Sequence, residues 1–136
     1  MIEQLRSIVQ EVNSARDLQN ALDIIVRRVR EALNTQVCSV YLLDNDLNSH
    51  VLMASEGLKK ESVGHVSLAV GEGLVGLVAK HAEPVNLEDA SSHPSFHYLQ
   101  ETGEEEFHSF LGVPIIHHRV VLGVLIVQHE ERRRFD

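Results

Sequence analysis

This 136-residue chain is short of several things, and each shortage closes off a class of function. It has a single cysteine, Cys38, which excludes an internal disulfide and a multi-cysteine zinc site. A soluble, reducing, cytoplasmic setting is the expectation. Basic charge is scarce: 20 acidic residues against 12 basic ones leave a net charge of −8. That argues against nucleic acid as a partner, because holding a phosphate backbone needs Lys and Arg clustered on one face. The one basic run, Arg132 to Arg134, adjoins Glu130 and Glu131 and is expected to be a solvated helix start or linker. No run reaches the roughly 18 apolar residues of a membrane span, and the opening MIEQLRSIVQEV carries charges where a signal peptide would be apolar. No membrane partner is expected.

Motifs of familiar chemistry are missing too. His93 and His97 are four apart, but Pro94 and Ser95 between them point to a loop, so no helical metal face follows. There is no H-E-x-x-H or H-x-x-E-H pattern, and no metal or other cofactor is expected. No G-x-S-x-G elbow occurs, and Cys38 lies within an apolar strand-like run where a buried, inert thiol is the ordinary outcome. No catalytic residue is nominated. GEGLVG (71–76) fits G-x-G-x-x-G, yet its surroundings read as hairpins rather than a parallel sheet. The segment is expected to be a tight turn into a helix, with Glu72 favoured at the helix N-terminus.

Hydrophobic residues, at 43%, are enough for one core. Ile2, Leu5, Val9 and Val12 recur at helical steps. Ser14 and Asp17 are spaced as a capping box before a second apolar stripe from Leu18 to Leu33, so two opening helices are predicted. After Asn34 the period changes. Strands are predicted at 37–44, 50–55, 65–70, 109–116 and 120–129, with a brief one possible around PVNL (84–87). A short helix at 73–82 stops before Pro84, and 96–107 reads as a ragged helical segment interrupted by Gly103. Helices first, then hairpins around a helical insertion, make an α+β pattern with an antiparallel sheet of five to six strands. Polar groups among aromatics between 86 and 110 have two readings: the walls of a small-molecule pocket, or core filling under a loop.

The residues VCSVYLLD, EGLVGLVAKHAEPVNLEDASSHPSF and FLGVPIIHHRVVLGVLIVQ resemble a GAF domain. The resemblance rests on Ser39, Leu42 and Asp44; on Gly71, Gly73 and Gly76; and on Pro84, Asp89, His93, Pro94 and Phe96. Leu111, Pro114, Gly123 and Leu125 complete it. MASEGLKK and HPSFHY, together with FLGVPII, look like the GAF domains that begin nitrogen-related phosphoenolpyruvate–protein phosphotransferases of bacteria. The resemblance covers the whole chain as a single domain, 1–136, without the family's last helix or the parent's catalytic domains. It implies two N-terminal helices on one face of the sheet and short helices or loops over a pocket on the other. Candidate pocket residues are Tyr41, Glu72, Asn86, Asp89, His93, Phe96, Phe107 and Phe110. It further implies a regulatory sensor, not an enzyme in itself, that responds to glutamine or 2-oxoglutarate and acts on downstream phosphotransferase domains as a homodimer. The segment 86–110 is expected to order over the ligand. The other reading is a dimerisation or docking module with a filled pocket.

Overall fold

The computed structural model describes residues 2–94 and 107–135. The chain opens with 32 residues that contain neither proline nor glycine, and they form one helix, α1 (Ile2–Leu33), instead of the two predicted. Ser14 and Asp17 lie inside it. An interior serine costs a helix only about 0.5 kcal/mol relative to alanine, less than giving up a turn of backbone hydrogen bonds. Two helices were the wrong inference from a capping-box spacing, because no residue in the stretch breaks the ladder.

Among the described side chains of α1, the buried ones lie in its C-terminal half. Leu22 and Val26 are buried, with Val29 and Leu33 beside them, at the four-three-four steps of a single helical face. The helix ends where Asn34 turns left-handed at φ 51°. The Asn34 and Thr35 amides then reach back to the carbonyls of Glu31 and Arg30 at 3.2 and 3.1 Å. That is the pattern that satisfies a helix's last carbonyls.

Six strands follow: β1 (Val37–Asp44), β2 (Ser49–Glu56), β3 (Ser67–Ala69), β4 (Val85–Leu87), β5 (Ser109–His117) and β6 (Val120–His129). They form one antiparallel sheet in the order β3-β2-β1-β6-β5-β4. β1 and β6 have the predicted limits. β3 is shorter than predicted, since the amides of His65 and Val66 are still turned to the Ser62 carbonyl at 3.0 Å. Helix α2 (Gly73–His81) lies between β3 and β4. The ragged segment expected at 96–107 lies almost wholly outside the described residues.

The sheet is buried on both faces, and strand alternation divides its side chains between them. Val37 and Tyr41 of β1, with Val124 and Ile126 of β6, meet Leu74, Val75 and Val78 of α2. Cys38 and Val40, with Val127, meet α1. GEGLVG is the turn expected: Gly71 and Gly73 have φ of 86° and 67°, and the Glu72 carbonyl accepts the Gly76 amide at 3.0 Å. An antiparallel sheet offers no parallel crossover for a dinucleotide.

Candidate functional site

Of the side chains that the sequence nominates for a pocket, three belong to the apolar core. Tyr41 on β1 and Phe110 on β5 are buried in the cluster beneath α2, and Phe107 packs against it. The β5 strand carries Phe110 inward because Ser109 is anchored: its hydroxyl donates to the carbonyls of His129 and Glu131 at 3.1 and 2.8 Å.

Asp89 stands at the polar rim of that cluster, just before a 3-10 turn at Ala90–Ser92. The Ser91 hydroxyl donates to Oδ1 at 2.6 Å, His108 Nδ1 lies 3.4 Å from the same oxygen, and Arg132 Nη2 lies 3.5 Å from Oδ2. The Ser91 hydrogen bond above all, then His108 and Arg132, hold the Asp89 carboxyl below its ordinary value, while partial desolvation opposes them. Backbone ties keep the rim in place: Ala90 N–H donates to His108 O at 2.6 Å, and His108 N–H to His129 O at 3.0 Å.

The other nominated residues sit apart. Asn86 on β4 has both ends of its amide on the backbone of Phe135, donating to its carbonyl and accepting its N–H at 3.1 Å. His93 closes the short turn, with its amide on the Ala90 carbonyl at 3.0 Å. Glu72 is the N-cap residue of α2 and makes no side-chain cap hydrogen bond. Phe96, like His97 and Glu104 to Glu106, lies outside the described residues.

The Arg132 to Arg134 run, expected to be a solvated helix start or linker, forms no helix; Arg132 and Arg134 are exposed, but the run also makes contacts. Arg132 meets Asp89, and Arg133 donates to the carbonyls of Leu33 and Asn34 at 2.8 and 3.3 Å at the end of α1. The Arg133 guanidinium also covers the buried Phe135 ring at 4.5 Å. Residues 130–135 thus strap the rim to α1. The one hint in the sequence is Phe135 itself, an aromatic closing a charged run, since such a side chain needs somewhere to be buried.

Cys38 is fully buried, and burial pushes its thiol up to about 12, an unreactive group. Among the described residues no three metal-ligating side chains come together, and no helix is long and apolar enough to cross a membrane.

The family profile of the GAF domain matches residues 17–136. The chain belongs to the GAF family. GAF domains are regulatory sensing domains, and the six-stranded antiparallel sheet with helices on both faces is the fold that the resemblance implied. This GAF domain is 52% identical over 136 residues, its whole length, to the "Phosphoenolpyruvate-dependent phosphotransferase system" protein of Escherichia coli (strain K12), covering 18% of that protein. It is 32% identical over 121 residues to the Nif-specific regulatory protein of Azospirillum lipoferum, a match to 85% of this chain and 19% of that one. The GAF domain from a phosphoenolpyruvate-protein phosphotransferase of Coxiella burnetii superposes with a TM-score of 0.84 at 45% identity, over 100% of this chain and 81% of that one. The chain therefore spans under a fifth of the length of these curated relatives.

Proposed function

We propose that this GAF domain, residues 1–136, is the small-molecule-sensing part of a cytoplasmic phosphoenolpyruvate–protein phosphotransferase of the nitrogen phosphotransferase system. It catalyses nothing itself, and it adjusts phosphoryl transfer by domains elsewhere in the parent chain. The metabolite is glutamine or 2-oxoglutarate, bound against Tyr41, Phe107 and Phe110 with Asp89 at the rim. The identity to the phosphotransferase relatives supports the parent, and the Nif-specific relative supports a nitrogen signal.

One observation carries the regulatory reading: adjacent arginines hold opposite ends of the mechanism. Arg132 pairs with Asp89 at the rim, and Arg133 holds the last carbonyls of α1. A ligand shifts an equilibrium only by binding two states unequally. One that competes for Asp89 or Arg132 changes the strap and with it the grip on α1. An amino acid suits both partners, its ammonium on Asp89 and its carboxylate on Arg132; a dicarboxylate must draw Arg132 away from Asp89. Titration of the 15N-labelled chain with glutamine and with 2-oxoglutarate tests this. Saturable amide shifts at Asp89, His108 and 130–135 are expected with one of them, and none with either overturns the ligand assignment.

The docking reading is favoured by α1. Ile2, Leu5 and Val9, in the N-terminal half of the helix, form an exposed apolar stripe, with Leu5 59% accessible. A second copy paired along this stripe makes the homodimer. Leu5→Glu is expected to leave a monomer in sedimentation experiments, and an unchanged mass overturns this interface.

A further inference from the structure

A second cleft, of about 480 Å³, opens at the far end of the sheet from Asp89. Its walls are Leu43 of β1, Val70 after β3, Ala79 of α2 and Val121 of β6, with His50 and Lys80 as its polar members. Val121 lies at the second position of β6 and His129 ends it, so the cleft and the Asp89 rim are about 25 Å apart along the strand. Two glycines, Gly71 and Gly76, line the cleft. A Cβ on Gly76 would stand 2.4 Å from the Gly71 carbonyl carbon, so turn and helix backbones touch there, while a Cβ on Gly71 would meet nothing within 4 Å. One helical turn beyond Gly76, Ala79 and Lys80 face the same opening.

Among the described residues, neither polar member has a side-chain partner. His50 is only 3% exposed, and its Nδ1 is buried with no hydrogen-bond partner. Its cross-strand neighbours are Leu43 on one side and Leu68 on the other, so the sheet offers the ring nothing polar. A buried, orphaned polar atom in a native fold calls for an explanation. Burial lowers the His50 pKa, which keeps the ring neutral, with one N–H to donate and one lone pair. Lys80 has no ion-pair partner among the described residues.

We propose that this cleft is a second binding site, for a small apolar monocarboxylate. Lys80 and His50 take the carboxylate, and Leu43, Val70, Ala79 and Val121 surround the hydrocarbon. A mostly apolar wall with a few placed polar groups is how small-molecule sites are built. A single cation and one neutral ring match one carboxylate. A phosphate, with more charge and more acceptor oxygens, needs further donors that this wall does not have. An amine is excluded by Lys80.

The test uses octanoate as probe, with octanol and octylammonium as its uncharged and oppositely charged counterparts, each titrated into the 15N-labelled 136-residue chain. Octanoate is expected to shift the amides of Leu43, His50, Val70, Ala79, Lys80 and Val121 saturably, and to perturb the His50 ring. Octanol is expected to bind about fivefold more weakly, as suits a single partly exposed ion pair, and octylammonium not to bind. Lys80→Met, an exposed change that leaves the core intact, should bring octanoate down to the affinity of octanol. Ala79→Trp should abolish both. Equal affinity for octanoate and octanol, no effect of Lys80→Met, or shifts elsewhere in the domain overturns the proposal. Because the glutamine and 2-oxoglutarate titrations report at Asp89, either site can fail without the other.

Discussion

Arg133 Nη2 donates to the Leu33 carbonyl oxygen at 2.8 Å, so a segment near the end of the chain closes the end of its first helix across 100 residues. The same guanidinium reaches Asn34 O at 3.3 Å and lies over Phe135. A cation at a helix C-terminus also complements the partial negative charge there.

Replacing Arg133 by alanine should therefore destabilise the domain by about 1–2 kcal/mol in urea denaturation. Arg133→Lys should restore less than half of this, because an ammonium keeps the charge but loses the planar fork and the ring contact. Phe135→Ala removes a buried ring and should cost more, about 3 kcal/mol. If Arg133→Ala leaves the urea midpoint unchanged, the strap does not hold α1.

Asp89 should titrate below an ordinary aspartate when its side-chain carboxyl is followed by 13C NMR. A depressed folded pKa contributes stability above the unfolded value, and that contribution is lost as pH falls through the folded value. The Arg132–Asp89 contact should therefore weaken only in acid, below the ordinary aspartate value of 3.8. Ser91→Ala should raise the Asp89 pKa more than Arg132→Gln does, because the hydroxyl has the largest influence. The reverse order would mean that charge, not the hydrogen bond, sets this group.

Cys38 should react with Ellman's reagent at pH 8 only when the domain opens, and quickly in urea. Burial pushes its folded pKa up to about 12, from the ordinary thiol value of 9.0. A raised thiol pKa means that its contribution to stability is whole below 9.0 and is lost as pH climbs toward about 12. Labelling in native buffer as fast as in urea would show an exposed thiolate.

The sequence by itself determined most of the sheet. The β-branched, apolar runs VCSVYLLD and VVLGVLIVQH placed β1 and β6 at their observed limits, and GEGLVG was legible as a turn into α2. Those features depend on neighbours a few residues away, which a linear pattern records. The length of α1 was misread for a related reason: a capping-box spacing marks where a helix can begin, and only unbroken packing and hydrogen bonding decide whether it does. The site was harder. Tyr41, Phe107 and Phe110 were legible as apolar, but Asp89, His108 and Arg132 come from three separate stretches, and nothing local in RRRF says that one arginine faces Asp89 and the next faces Leu33. The His50 cleft likewise depends on two leucines across the sheet and on Gly71 pressed against Gly76. Tertiary structure decided these partnerships, because the sheet must close before residues 40 or 100 positions apart can meet, and the pairing energy of a polar group is set by what then surrounds it.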